Sequence, residues 1–447
     1  MKYSVNANPP GVGKTFNEKK NIINNKLKAA IFSKEHALLN EYESLPYSKH
    51  VRGFKHTCEL IENNEVKRLI GEDIPPSLIC GHMGCDLKCE YHRQFKRIRL
   101  LLSPLNYFNS NKIDLDKYEF ILIDENVDGS RELTYNKEEL KKEVNKLQWL
   151  ALWEAIDSMD IEWLIDNTIK INRMIMIKNE EILKSNTNII RLNIDDLINF
   201  IMIDNAYEIN KPSYPYPDIF DIFKKGRDIR LLSATFDLSV FNKLLERYRR
   251  EFDPLLECEI IVEQEPQSSK SLIIRVGNSH HYKSTMRKSL DKYDLYLKQI
   301  RKLHGVHCQI CVLTYKEFVK DGKFFGVPAF WFGANKGVNL YEHYDVLVVF
   351  GSFIYDINGY KELHELIYPG QLAPDPGEVD LNNAFGVMLP VNGKYNVLWQ
   401  KFVETQTYDA IHRVRPLRYI RTIYCFGYVP HKLMLELEYR TMLEETL

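Results

Sequence analysis

Apolar residues along this chain fall in two textures. In the first, short strand-like runs, most of them largely apolar, alternate with polar or helix-spaced segments. YSVNAN (3–8), KAAIFS (28–33), RIRLLLSP (97–104), YEFILIDEN (118–126) and DIRLLSATFD (228–237) are such runs. SLIIRVG (271–277), HCQICVLTY (307–315), PAFWFG (328–333) and YDVLVVFGSF (344–353) repeat the texture in the second half. Runs apolar on both faces suit parallel strands covered by helices on either side, and their alternation with segments such as MRKSLDKYDLYLKQIRKLHG (286–305) predicts an α/β fold. The second texture spans 131–226. There ELKKEVNKLQWLALWEAIDSMDIEWLIDNTIKI and NIDDLINFIMIDNAYEI place apolar residues at helical spacing with little strand character. This predicts a helical insertion, with SYPYPDIF (213–220) as the loop leading out. The chain therefore divides into a first α/β domain over 1–130, an insertion over 131–226, a return to the first domain over 227–248, and a second α/β domain over 249–447.

The first strand runs into NANPPGVGKT (6–15), which nearly fits G-x-x-x-x-G-K-[ST] with Asn8 in place of the first Gly. Asn tolerates the left-handed backbone better than most residues. Small residues let backbone N–H groups converge on phosphate oxygens, a Lys reaches the β- and γ-phosphates, and a hydroxyl holds Mg²⁺. Gly11, Gly13, Lys14 and Thr15 are the nucleotide-binding candidates, with ATP and Mg²⁺ as ligands. The next apolar strand of this kind ends in Asp124-Glu125. In such a site the Asp holds Mg²⁺ and the Glu polarises the attacking water. Ser233 and Thr235 stand at the end of a further strand, and Arg413, Arg415 and Arg418 crowd one segment of the second half. A guanidinium reaching across to a γ-phosphate stabilises transition-state charge.

Composition narrows the setting more than the chemistry. With 447 residues, 45% hydrophobic and 27% charged, the chain is an ordinary globular one with room for several cores. A net charge of −1 means that any nucleic-acid site is a local patch. No run of 18 apolar residues occurs, and Met1 stands a few residues before the loop, so a membrane-free, cytoplasmic protein is expected.

Four of the eight cysteines, Cys58, Cys80, Cys85 and Cys89, cluster within a segment at 52–95. In a cytosolic chain such a cluster suits metal better than disulfides. The spacing is not that of a common zinc ribbon, although His82 and His92 offer alternative ligands, and iron–sulfur clusters accept looser spacing. The segment is also locally basic, with Lys88, Arg93, Lys96, Arg97 and Arg99 interleaved with Tyr91 and Phe95. That composition suits either single-strand binding or a solvated helix face. Cys308 and Cys311 read as structural cysteines on opposite faces of a core strand.

Taken in order, the P-loop, KAAIFSKEH, LIDEN, LLSAT, WFGANKGVNL and DAIHRVRPLR resemble the motif series of superfamily 2 helicases. The Cys-rich and helical insertions fall where the XPD/DinG-like branch carries its iron–sulfur module and Arch domain. This resemblance implies two RecA-like motor domains with ATP between them, the first interrupted by a Cys-coordinated module and a helical insertion. It implies ATP hydrolysis coupled to translocation on nucleic acid, with single-stranded DNA and 5′→3′ polarity. It further implies that Cys58, Cys80, Cys85 and Cys89 hold a [4Fe–4S] cluster, zinc being the alternative. Ser233, Thr235, Gly337 and Asn339 would couple ATP to nucleic acid, and one of Arg413, Arg415 and Arg418 would be the finger. The chain departs from the series in its Arg segment, where Asp409 and His412 replace a Gln and a Gly.

Overall fold

A computed structural model of the chain describes residues 1–10, 12–85, 89–95, 98–108, 112–124, 127, 129–184, 188–208, 210–277, 281–333, 340–353, 357–371, 379–382, 387–390 and 403–446. Two seven-stranded sheets organise it. The first comprises β1 (Lys2–Asn6), β2 (Ala29–Ser33), β3 (Ser48–His50), β4 (Leu100–Pro104), β5 (Phe120–Asp124), β8 (Ile229–Leu232) and β9 (Glu259–Glu263), in the order β3-β4-β2-β5-β8-β1-β9. Every pairing in it is parallel. The apolar runs explain this: Ala30, Phe32, Leu101, Ile121 and Ile123 enter one core, while Ala29, Ile31, Leu100, Leu102 and Leu122 enter another on the opposite face. Successive side chains point to opposite faces, so a run buried throughout needs cover on both.

Between β5 and β8 the chain leaves the sheet through β6 (Ser130–Thr134) and re-enters through β7 (Ser213–Pro217), which pair antiparallel. The segment expected to be a plain loop is thus one strand of a ribbon rooting the insertion. Tyr214 and Tyr216 face the core from alternate positions, a period-2 signal interrupted by two prolines. Above the ribbon stand helices Lys137–Leu147, Leu150–Asp157, Ile161–Leu183 and Ile194–Tyr207.

The second sheet contains β10 (Leu272–Val276), β11 (Ile310–Thr314), β12 (Lys323–Phe324), β13 (Val327–Trp331) and β14 (Val346–Phe350). After the β15–β16 ribbon (Val379–Asn382 and Val387–Pro390) it gains β17 (Thr422–Phe426) and β18 (Glu438–Met442). The order is β12-β13-β11-β14-β17-β10-β18, parallel except for the β12–β13 edge. Cys311 lies in the core on one face, and Cys308 packs against the core on the other.

The expected start of the second domain, 249, falls inside helix Leu238–Glu251. The strand after it, β9, pairs with β1 of the first sheet, so the first α/β layer runs to Glu263 before the chain crosses over. β9 is only half-buried and mixed in polarity, which hides it from an apolar-run search. The helix Ile357–Ile367, though late in sequence, docks against the insertion root, with Ile367 in the core of the first sheet.

Candidate nucleotide site and cysteine module

Asn6 at the end of β1 and Asp124 at the end of β5 both stand level with Leu232 of β8, the strand between them. The Gly-Lys-Thr loop, the acid and the Ser233–Thr235 segment therefore leave the sheet at one level, above the carboxyl ends of parallel strands. The backbone N–H of Ser233 donates to the Asn6 carbonyl at 3.1 Å. Its buried Oγ has no hydrogen-bond partner among the described residues, and Thr235 is half-buried.

Gly13 caps the helix Lys14–Asn24 with φ 88°, in the left-handed region that strains any side chain. The helix N-terminus thereby opens onto the loop, as an anion site requires. Lys14 lies back across the loop, its ammonium donating to the carbonyls of Asn8 and Pro9 at 2.6 and 3.1 Å. Asn8 Oδ1 accepts from the Glu265 N–H at 2.7 Å, tying the loop to the crossover between domains. Burial pulls Lys14 down to about 8, opposed by Asp124 and Asp409 and reinforced by Lys432 and Arg415. Three of these four neighbours belong to the second half of the chain, so Lys14 faces the cleft between the sheets.

Asp124 is buried. Burial raises its carboxyl above the usual range, and hydrogen bonds from Tyr42 and Thr15 pull it back. The Tyr42 hydroxyl donates to Oδ2 at 2.6 Å and the Thr15 hydroxyl at 3.3 Å. A P-loop hydroxyl beside a strand-end carboxylate is the donor set that holds a hydrated Mg²⁺ in P-loop enzymes. Tyr42 was not among the sequence candidates. Its only signal is a Tyr on the apolar face of helix His36–Tyr42, where a buried hydroxyl needs an acceptor.

The arginine segment follows helix 403–411. The turn His412–Val414 ends at Arg415, whose φ of 55° is left-handed. Arg415 is half-buried, and burial lowers its guanidinium while Glu342 and Glu41 hold it charged. Its charge also reaches Lys14 and Glu41 in the first domain. Arg413 acts on Tyr341 of its own domain, whereas Arg418 is exposed and lies over the Tyr419 ring. The field of Arg415 thus crosses the cleft. Gly11, Glu125, Gly337 and Asn339 lie outside the described residues.

The four clustered cysteines come together. Cys58 follows helix Phe54–Thr57, Cys80 sits in helix Pro76–His82, Cys85 follows that helix, and Cys89 caps Glu90–Arg93. All four line one cavity of about 370 Å³. Cys80 is pushed up to about 12 by burial and by Cys85, Cys89 and Cys58, so their thiolate charges would compete unless a cation shared them. The spacing among the described residues does not form a ready three-ligand site for a single ion. His82, an alternative ligand, faces Glu65 at 3.5 Å instead. The module's apolar core, including Val66, Leu69 and Ile79, closes on Leu183 and Ile189, so the two insertions share one core.

Tyr91 does not form a base-stacking platform. It is 2% exposed, its ring edges meet Phe54 and Phe95, and its hydroxyl accepts from Lys112 at 2.6 Å. Arg93 remains exposed, and Lys88, Lys96 and Arg97 lie outside the described residues. A cavity of about 740 Å³ opens between the module, the ends of β2 and β4 and the insertion root, lined by Lys34, His36, Asn106, Tyr107 and Arg131 among others.

No family model matches the chain, and no curated protein is similar to it in sequence. Solved structures are similar in fold. One titled XPD_APO aligns over 99% of this chain and 97% of its own, with a TM-score of 0.51 at 13% identity. This chain has the XPD fold. A structure of S. tokodaii Xpd4 aligns over 95% of this chain and 91% of its own, with a TM-score of 0.47 at 12% identity. A truncated XPD covers 59% of this chain and 95% of its own, with a TM-score of 0.30 at 15% identity. Within the XPD fold of this chain, both sheets, the Cys-lined module and the ribbon-rooted insertion occur in the chain order expected from sequence. No described helix is long and apolar enough to cross a membrane.

Proposed function

We propose that this protein is an ATP-driven nucleic-acid helicase or translocase. The observation that carries the reading is the clustering of Lys14, Thr15 and Asp124 in the first domain, with the charge of Arg415 from the second domain acting on Lys14 and Glu41 beside them. In this reading Lys14 and the N–H groups around Gly11 and Gly13 hold the triphosphate, Thr15 and Asp124 hold Mg²⁺, and Glu125 orients the attacking water. Arg415 stabilises charge on the transferred phosphoryl group. Because these residues belong to two domains, turnover opens and closes the cleft. Ser233 and Thr235, with Gly337 and Asn339, pass that motion to the bound strand. Single-stranded DNA and 5′→3′ movement are the substrate and polarity that the XPD likeness favours. We place the motor domains at 1–130 with 227–263 and at 264–447, the helical insertion at 131–226 and the module at 52–95, in a protein of the cytoplasm.

Purified protein is expected to hydrolyse ATP, with single-stranded DNA raising the rate at least tenfold and blunt duplex doing much less. A 5′-tailed duplex should then be displaced faster than a 3′-tailed one. ATP turnover unmoved by any nucleic acid would sink the motor reading. DNA-stimulated turnover without displacement would favour a remodeller of protein–nucleic-acid complexes, for which every residue named here is equally needed.

Cys58, Cys80, Cys85 and Cys89 would hold a [4Fe–4S] cluster, the four thiols around one cavity being the donor set that such a cluster requires. The cluster would supply cross-links within a module too small for a large core, and zinc is the alternative occupant. Anaerobically purified protein should show a broad absorption near 400 nm and about four irons per chain, and Cys89→Ser should lose most of both. One zinc and no colour would assign the cavity to zinc.

A further inference from the structure

Lys432 was not among the sequence candidates, and nothing in the proposed reaction yet uses it. It lies in the short helix His431–Glu436, after β17. From there its ammonium crosses to the first domain and donates to the carbonyl of Ala234 at 3.4 Å, between Ser233 and Thr235. The same ammonium stands 4.8 Å over the Tyr408 ring. A carbonyl at 3.4 Å and one aromatic face are weak company for a half-buried cation, which has three protons to place. Burial accordingly lowers it, with Glu436, Asp409 and Glu404 opposing.

The mounting is rigid. The Tyr408 hydroxyl donates to both carboxylate oxygens of Glu436 at 2.8 and 3.0 Å, and His412 Nε2 meets the same carboxylate at 3.2 Å. All three groups are buried. The Lys432 N–H donates to Glu404 at 3.1 Å, on the segment leading into Tyr408. Through this network the helix bearing Lys432 and the turn bearing Arg415 are one piece: Tyr408 and His412 lie on the Arg415 side, Glu436 and Lys432 on the other. Two cations of the second domain are thus presented together toward the cleft, one on the Glu41 side and one on the Ala234 side. Both charges are felt at Lys14.

We propose that Lys432 is a second cation presented across the cleft to the terminal phosphate, and that it exchanges the Ala234 carbonyl for a phosphate oxygen when a nucleoside triphosphate is bound. This rests on the nucleotide-site reading and extends it. The carbonyl belongs to the Ser233–Thr235 segment, so the exchange releases that segment only when a γ-phosphate is present. Lys432 therefore reports triphosphate against diphosphate, while Arg415 supplies transition-state charge. A phosphate is also the partner a poorly accommodated ammonium lacks: it offers charge-assisted hydrogen bonds in place of one long neutral one.

The test compares wild type, Lys432→Met and Lys432→Arg by equilibrium binding of ADP and of ADP with aluminium fluoride, and by steady-state ATP turnover. Lys432→Met is expected to bind ADP within about twofold of wild type, to bind the fluoride complex at least tenfold more weakly, and to lose a similar factor in kcat. Lys432→Arg should recover most of both, because it keeps the charge but not the length. Equal loss of both ligands in Lys432→Met would mark a merely structural residue. No loss of either, with an active wild type, would overturn the proposal alone. A wild type that binds neither ligand would overturn the nucleotide-site reading and this proposal with it.

Discussion

Arg415→Ala is expected to lower kcat for ATP by about a thousandfold or more, while Arg418→Ala stays within about threefold of wild type. The size follows from the role: an arginine that meets transition-state charge is worth about 10³–10⁵ in phosphoryl transfer. The choice among the three arginines follows from position. Arg415 is half-buried and its charge acts on Lys14 and Glu41 of the opposite domain. Arg418 is exposed and lies over Tyr419, where solvent screens it. The left-handed φ of 55° at Arg415 adds to the case, because such strain in a non-Gly residue persists only where surrounding structure imposes it. Here the imposing structure is the buried Tyr408–Glu436–His412 network beside the turn. ADP affinity should change little in Arg415→Ala, since the group acts at the γ-phosphate. Steady-state rates and ADP titrations on the three single alanine variants decide it. A large loss in Arg418→Ala, or a loss in Arg415→Ala confined to ADP affinity, would assign the finger elsewhere.

Most of the first sheet was legible because its strands are apolar on both faces, and runs such as Ala29–Phe32 and Phe120–Ile123 admit few other readings. β9 and β18 escaped because edge strands are little covered: Glu259–Glu263 has only the short Ile260–Val262 run between acids, and Glu438–Met442 has none. β7 was hidden by its two prolines, and β6, a mostly polar Ser-Arg-Glu-Leu-Thr, by the helical texture that follows it. The site divided in the same way. Gly13, Lys14, Thr15 and Asp124 of the proposed site are legible in spacing, because phosphate and Mg²⁺ chemistry would fix residue types over a few positions. Tyr42 and Lys432 are not, because each meets its partner, Asp124 or the Ala234 carbonyl, from a distant element through one side chain. The course of the chain at Arg415 was equally unreadable: it depends on one left-handed residue, and no local residue type demands that turn. The convergence of four cysteines on one cavity was foreseen, but their shared core with Leu183 and Ile189 of the insertion was not.

Arg247→Ala is expected to cost about 3–5 kcal/mol of stability, the range for removing one partner of a buried ion pair. The Arg247 and Glu251 side chains are 1% and 0% exposed, and Nε donates to Glu251 at 2.5 Å. The guanidinium spends its remaining donors on two carbonyls far apart in sequence. One is Pro215 in the ribbon that roots the insertion, at 2.7 Å, and the other is Leu366 in the helix Ile357–Ile367. A planar fork of five donors can join three elements at once, which a lysine could not do. Removing it leaves a buried carboxylate and two carbonyls without their donor, so the damage should concentrate where the elements meet. Hydrogen exchange is therefore expected to quicken in Ser213–Pro217 and in Ile357–Ile367 well before it does in β5 or β14. Replacing both partners, Arg247→Met with Glu251→Leu, removes the stranded charge and should recover much of the loss, though not the part owed to the two carbonyls. The same joint bears on the motor. Helix Ile357–Ile367 follows β14 of the second sheet, yet Glu365 pairs with Lys211 and Ile367 is buried against the first core. In the proposed motor a helix so held would move with the first domain while its own sheet moved with the second, and Arg247 is one of the contacts that hold it there. DNA-stimulated turnover in the double variant should therefore fall by more than its recovered stability implies. Unchanged turnover with quickened exchange confined to these two segments would instead make the joint a purely structural rivet.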